Sequence, residues 1–204
     1  MHCKIKTLVL LISAFSLSAP LLAGTAPKPA TEFTKQANTA VLQELPFNDK
    51  QDFADAQKGF IAKPDTLTIK DAKGNVVWDL EQYKKYITLD APAPHTVNPS
   101  LWRNAQLNMQ YGLFKVSDKI YQIRGFDLSN ITFVQGDKGW IVFDPLISPD
   151  TAKAALDFIN KQLGPRPVVG IVYSHSHVDH YGGAAGIVDP ADVKSGKVKI
   201  IAPE

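Results

Sequence analysis

Residues 174–180 read SHSHVDH, so three of the chain's five histidines and one aspartate fall within seven positions. His175 and His177 stand two apart at the end of an apolar run. In an extended chain, residues two apart project to the same side, so both imidazoles can reach one ion. Neutral imidazole suits zinc and its transition-metal neighbours. Asp179 and His180 follow where the backbone must turn, and adjacent side chains diverge. A carboxylate and an imidazole there suit a second ion close to the first. The pattern predicts a two-metal centre with His175, His177, Asp179 and His180 as ligands. Water held between two such ions loses much of its proton affinity, the pKa of zinc-bound water falling to roughly 7. It becomes a hydroxide nucleophile at neutral pH, and Asp179 is the candidate catalytic residue that orients it. This chemistry serves esters, lactams and phosphate or sulfate esters alike. The motif fixes a reaction type and leaves the substrate open. The plain alternative is a histidine-rich surface loop. Against it stand the position at the carboxyl end of an apolar strand, where α/β sheets place ligands, and the close approach that Gly182 and Gly183 allow.

The elements that must position this cluster are read from periodicity. PVVGIVYSH, just before it, is a continuous apolar run, the pattern of a strand buried on both faces. SPDTAKAALDFINKQLG predicts the preceding helix, with Ser148 or Asp150 as its cap and Ala154, Ala155, Phe158, Ile159 and Leu163 on one apolar side. Gly164 and Pro165 end it. Upstream, GLFKVSDKIYQIRGF and ITFVQGDKGWIVFD hold β-rich runs, with GDKG a turn. After the cluster, YGGAAGIV reads as a loop into a small-residue helix, and KVKII as a final strand. Strand, helix, strand, loop, helix, strand is an α/β layout. Nearer the amino terminus, GTAPKPATEFTKQ reads as a linker or mobile arm, two segments follow at mixed helical spacing up to Gly59, and TLTIKDAKGNVVWDL reads as a hairpin. EQYKKYI is a short helix, and the proline-rich APAPHTVNPS marks the best internal boundary. The organisation predicted is 1–23 a signal peptide, 24–98 a helical arm with a hairpin, and 99–204 the domain that carries the histidines.

The signal peptide rests on Lys4 and Lys6, the apolar but Ser- and Pro-interrupted TLVLLISAFSLSAPLLA, and the small residues Ala23 and Ala26. The apolar run is shorter than the ~20 residues that a spanning helix needs. Export to the periplasm or beyond is the expectation, with no stable membrane span afterwards. Lys4 and Lys6 account for the formal net charge of +2. What remains is nearly neutral and gives no electrostatic case for nucleic acid. Cys3 is the one cysteine and lies before the apolar run, so thiolate ligands and disulfides are excluded from the mature chain.

HSHVDH after VVGIVYS resembles the H-x-H-x-D-H signature of the metallo-β-lactamase superfamily. TVNPSLWRNAQLN, GLFKVSDKIYQIRGFDLSNITFVQGDKGWIVFDPL and YSHSHVDHYGGAAGI are similar to the amino-terminal part of the bacterial linear alkylsulfatases, and GFIA and GNVVWDLEQYKKYI fit the same family. The resemblance implies an α/β fold, the first part of an αββα sandwich. It implies two Zn2+ per complete site, one on His175 and His177 and the other on Asp179 and His180. The implied partner is a small-molecule alkyl sulfate, cleaved to alcohol and sulfate. Family members are homodimers whose dimerisation region and remaining ligands, two glutamates and a histidine, come further downstream. Only Asp189, Asp192 and Glu204 are acidic after His180. The chain is therefore expected to be an amino-terminal portion, inactive alone. The other readings kept open are a lactam or thioester hydrolase of the same superfamily and a non-catalytic zinc-binding remnant. Arg103 and Arg124 are candidates for meeting sulfate, against a structural role. Trp78, Trp102 and Trp140 are candidates for an alkyl pocket, against ordinary packing. Tyr181 is a candidate substrate contact, and Asp144 either bonds a ligand imidazole or caps the turn before Pro145.

Overall fold

A computed structural model describes residues 28–204. The signal-peptide expectation therefore lies outside the described residues. Two helices open the described chain, α1 (Glu32–Glu44) and α2 (Gln51–Gln57). Strand β1 (Phe60–Ala62) follows, then a two-stranded antiparallel hairpin, β2 (Thr68–Lys70) and β3 (Val76–Asp79). The short α3 (Glu81–Lys84) and the longer α4 (Pro99–Asn108) lead into β4 (Gly112–Ser117), β5 (Ile120–Arg124), β6 (Ile131–Gln135) and β7 (Trp140–Phe143). Helix α5 (Pro149–Leu163) crosses to β8 (Val168–Val172), and α6 (Pro190–Lys194) precedes β9 (Lys199–Ile201).

Seven strands form one sheet in the order β1-β4-β5-β6-β7-β8-β9. Pairing is antiparallel from β1 through β7 and parallel across β7, β8 and β9. The change of sense falls where α5 makes the crossover, because parallel neighbours need a long return connection. Alternation decides which side chains enter the core. Ile131 and Phe133 on β6, Trp140 and Val142 on β7, and Ile171 on β8 are sealed from solvent beneath Ala152, Ala155 and Ile159 of α5. The buried indole of Trp140 donates to Asn160 Oδ1 at 2.9 Å, so its one polar atom is satisfied. The mixed α/β architecture agrees with the sequence reading.

Several local expectations change. The predicted mobile arm turns helical at Glu32, since Thr31 caps α1 by accepting from the Thr34 amide. The strand before the histidines stops at Val172, and only Val168 and Ile171 of it are buried. Its other face looks past Ile141 and Phe143, which α5 does not cover and which stay exposed. The small-residue helix after the cluster is a single 3₁₀ turn, Ala184–Gly186, followed by α6. The amino-terminal elements join the later strands: β1 pairs with β4, and Trp78 of β3 donates to the Gly125 carbonyl at 2.8 Å. Among the described residues no helix is long and apolar enough to cross a membrane.

Candidate metal centre

The histidine cluster begins beyond β8, not on it. Ser174–Ser176 form a bend, and Val178–His180 a 3₁₀ turn that aims Asp179 and His180 back towards the end of β7. That turn is closed by the His180 amide on the His177 carbonyl at 3.0 Å and the Gly182 amide on the Val178 carbonyl at 2.8 Å. Gly183 then passes beneath the segment after β7. A Cβ there would lie 1.9 Å from the Pro145 carbonyl oxygen, so only glycine permits the approach.

The donors meet in twos. His175 Nε2 and His177 Nδ1 lie 3.1 Å apart. His180 Nε2 and Asp179 Oδ2 lie 3.3 Å apart. Two nitrogens at 2.0–2.1 Å on a tetrahedral zinc stand about 3.3 Å from each other, so each pair has the span of two ligands on one ion. Among the described residues no set of three His, Cys, Asp or Glu side chains groups around one point. The rings of His175 and His180 are also close, 4.0 Å between centroids, which brings the two pairs side by side.

Asp144 sets the protons of this cluster. It ends β7 with a left-handed φ of 54°, a strained conformation for a residue with a side chain. Its Oδ1 accepts the Ser174 amide at 2.7 Å and its Oδ2 the Ser174 hydroxyl at 2.6 Å. Burial pushes the Asp144 carboxyl up, but the two Ser174 hydrogen bonds and the neighbouring His180 outweigh it and hold the carboxyl below its ordinary range. Ser174 has one hydroxyl proton, given to Asp144. At His175 Nδ1, 2.9 Å away, the serine oxygen therefore accepts, and the proton sits on that ring nitrogen. His175 Nε2 is left with its lone pair facing His177. His180 Nδ1, sealed from solvent, lies 2.9 Å from Asp144 Oδ2, close but poorly aligned as a hydrogen bond. A carboxylate oxygen at that distance requires the proton on Nδ1, which leaves Nε2 with a lone pair facing the Asp179 carboxylate. Two acceptors at 3.3 Å call for a positive charge between them, supplied by a proton on Nε2 or by a cation. The donor chemistry of these four residues fits a metal cofactor.

A cavity of about 460 Å³ opens beside His175, walled by Tyr173, Ser176, Tyr181 and Pro203. Its size is within the range of small-molecule sites. Burial raises the Tyr173 phenol above its ordinary pKa, so it stays a neutral wall at physiological pH. Tyr181 faces it with ring centroids 5.9 Å apart.

The other candidates lie elsewhere. The Arg103 guanidinium donates to both Asp52 carboxylate oxygens and to the Phe47 and Asp49 carbonyls. Arg124 lies 4.2 Å over the Phe114 ring and donates to Gln122 and the Ala56 carbonyl. None of these partners belongs to the histidine cluster, and both arginines are structural. Trp78, Trp102 and Trp140 each spend the indole N–H inside the fold, on the Gly125 carbonyl, the Ala91 carbonyl and Asn160, which is the packing role. The sequence reading gave Ser174 no role, although it stands inside the motif. A hydroxyl next to a candidate ligand was the available signal.

Residues 124–204 match the metallo-beta-lactamase superfamily. The chain is 54% identical over 200 residues to a linear primary-alkylsulfatase of Pseudomonas sp., covering 98% of this chain and 30% of the relative. It is 48% identical to an (R)-specific secondary-alkylsulfatase of Pseudomonas sp., covering 97% and 30%. The solved structure of the stereoselective inverting sec-alkylsulfatase Pisa1 from Pseudomonas sp. superposes with a TM-score of 0.79 at 50% identity, over 85% of this chain and 27% of that one. The chain thus spans under a third of the length of these relatives.

Proposed function

The chain is related along nearly its whole length to the alkylsulfatases of the metallo-β-lactamase superfamily, and from that premise we propose that it carries half of a two-zinc centre that hydrolyses alkyl sulfate esters. The observation that carries this reading is the pairing of donors, His175 with His177 and Asp179 with His180, organised by one carboxylate, Asp144. His175 Nε2 and His177 Nδ1 would hold one zinc, and His180 Nε2 and Asp179 the other. Bound there, the ions would supply Lewis acidity and draw the pKa of a coordinated water towards neutrality. The chain's own residues do the rest. Asp144 keeps the Nδ1 protons on His180 directly and on His175 through Ser174, so both Nε2 atoms present lone pairs. Asp179 would orient the attacking water as well as hold the ion beside His180. The Tyr173 and Tyr181 rings offer apolar faces for a substrate tail in the neighbouring cavity. Lys4, Lys6 and the apolar segment that follows support export.

Titration with Zn2+, together with sulfate release from dodecyl sulfate and turnover of nitrocefin, tests the reading. His175→Ala and Asp179→Ala should each cost the ion held by that residue's own pair, and sulfate release should exceed lactam turnover. Four donors leave both ions with open positions, so release by this chain alone should be slow. Absence of zinc binding sinks the metal reading, and faster nitrocefin turnover moves the substrate to lactams.

A further inference from the structure

The loop between β5 and β6, residues 125–130, touches the metal centre through a single hydroxyl. Ser129 Oγ donates to the backbone carbonyl of Asp179. The rest of the loop is pinned from three sides. Trp78 donates to the Gly125 carbonyl, and Phe126 packs on Phe158 of α5 at 5.5 Å between ring centroids. Asp127 is 4% exposed, and its buried carboxylate accepts the Thr151 hydroxyl at 2.7 Å, the Ile147 amide at 3.1 Å and the Leu128 amide. Thr151 lies in the first turn of α5, where free amides and the helix dipole favour an anion. A buried carboxylate served by two donors from outside the loop, besides the loop's own Leu128 amide, fixes the loop against the segment after β7 and the start of α5.

Resting on the two-zinc reading, we propose that Ser129 is a positioning residue for the second ligand pair. Its hydroxyl grips the Asp179 carbonyl and sets the 3₁₀ turn Val178–His180 at the rotation that brings the Asp179 carboxylate to His180 Nε2. The Asp127 anchor makes Ser129 rigid enough to do this. The His175–His177 pair, on the bend before the turn, is governed by Ser174 and does not depend on Ser129.

Hydrogen exchange on the metal-free chain reads the brace. Ser129→Ala should speed exchange at the His180, Tyr181 and Gly182 amides at least tenfold and leave the β8 amides unchanged. Ser129→Thr keeps the hydroxyl and should restore the slow rates. Zinc titration reads the consequence, since removing an outer partner of a ligand typically weakens metal binding ten- to a hundredfold. Ser129→Ala should show that loss, with a thermal midpoint within about 2–4 °C of the parent. Unchanged exchange overturns the brace. Faster exchange with unchanged zinc affinity overturns the positioning role. A parent chain that binds no zinc overturns the two-metal reading and the positioning role with it, while the exchange rates still decide the brace.

Discussion

Asp144 is one residue serving two ligand pairs, and its replacement is the sharpest single-site prediction. Asp144→Asn keeps the shape but turns one carboxylate oxygen into an NH2 donor. An NH2 at the Oδ2 place meets the Ser174 hydroxyl and His180 Nδ1 as a donor, and an NH2 at the Oδ1 place meets the Ser174 amide donor, so either orientation breaks part of the network that holds the imidazoles. Zinc affinity should fall about ten- to a hundredfold, read by calorimetric titration. Ser174→Ala should cost less, because His180 keeps its carboxylate. A variant Asp144→Asn with parental affinity would show that the carboxylate only caps its turn. At this scale the sequence was informative about types and silent about protons. Spacing grouped His175 with His177 and Asp179 with His180, the same groups whose donor atoms lie 3.1 and 3.3 Å apart in the structure. Asp144 was legible as a partner of a ligand imidazole or a turn cap, and the structure sets its carboxylate on Ser174 and beside His180. Ser129 was not legible, since a serine fifty positions from Asp179 carries no local signal of contact.

Helix α5 holds the carboxylate end of the site in place, and its start is built for that. Ser148 accepts the Thr151 amide while Thr151 Oγ1 accepts the Ser148 amide, a reciprocal cap. The same Thr151 hydroxyl donates to Asp127. Thr151→Val removes the cap hydroxyl and takes one of three donors from a buried carboxylate, so the cost should exceed that of an ordinary cap, about 1–3 kcal/mol by chemical denaturation. Loss below 0.5 kcal/mol would mean that Asp127 finds another donor. Gly183→Ala should be worse, because its added methyl meets the Pro145 oxygen, the Ala152 side chain and the Ser148 oxygen together. Helix α5 was legible almost to the residue, since cap, apolar period and terminal glycine all agreed. Strand β8 was less so. A continuous apolar run reads as burial on both faces, but coverage of a face depends on which elements pack there, and that is not written in the strand.

At the scale of the whole described chain, the amino-terminal helices are held in part by a charged clamp. Arg103 of α4 reaches both carboxylate oxygens of Asp52 on α2 and lies over the Phe47 and Phe53 rings. The Asp52 carboxyl is held below its ordinary value chiefly by the hydrogen bond from Arg103, against a smaller opposing effect of burial. A carboxylate with a depressed folded pKa contributes stability that is complete above its unfolded pKa. That stability is lost as pH falls through the folded value. The contribution should therefore be present at neutral pH and disappear in the range below about pH 4. The core around Trp140 contains no such pair, its buried polar atom being met by a neutral asparagine. The Asn38 bond to the His95 carbonyl and the Arg124 bond to the Ala56 carbonyl do not titrate here, so acid should loosen α1 and α2, rather than detach them, before it unfolds the seven-stranded sheet. Amide exchange measured from pH 6 down to pH 3, corrected for intrinsic rates, should show protection lost first at residues 32–57 and last at β6 and β7. Arg103→Lys keeps the charge but not the two-pronged geometry. It should shift the loosening of those helices to higher pH without moving the unfolding of the sheet. Simultaneous loss across both regions would show instead that the amino-terminal helices and the sheet unfold as one unit, with the clamp no more than one contact among many.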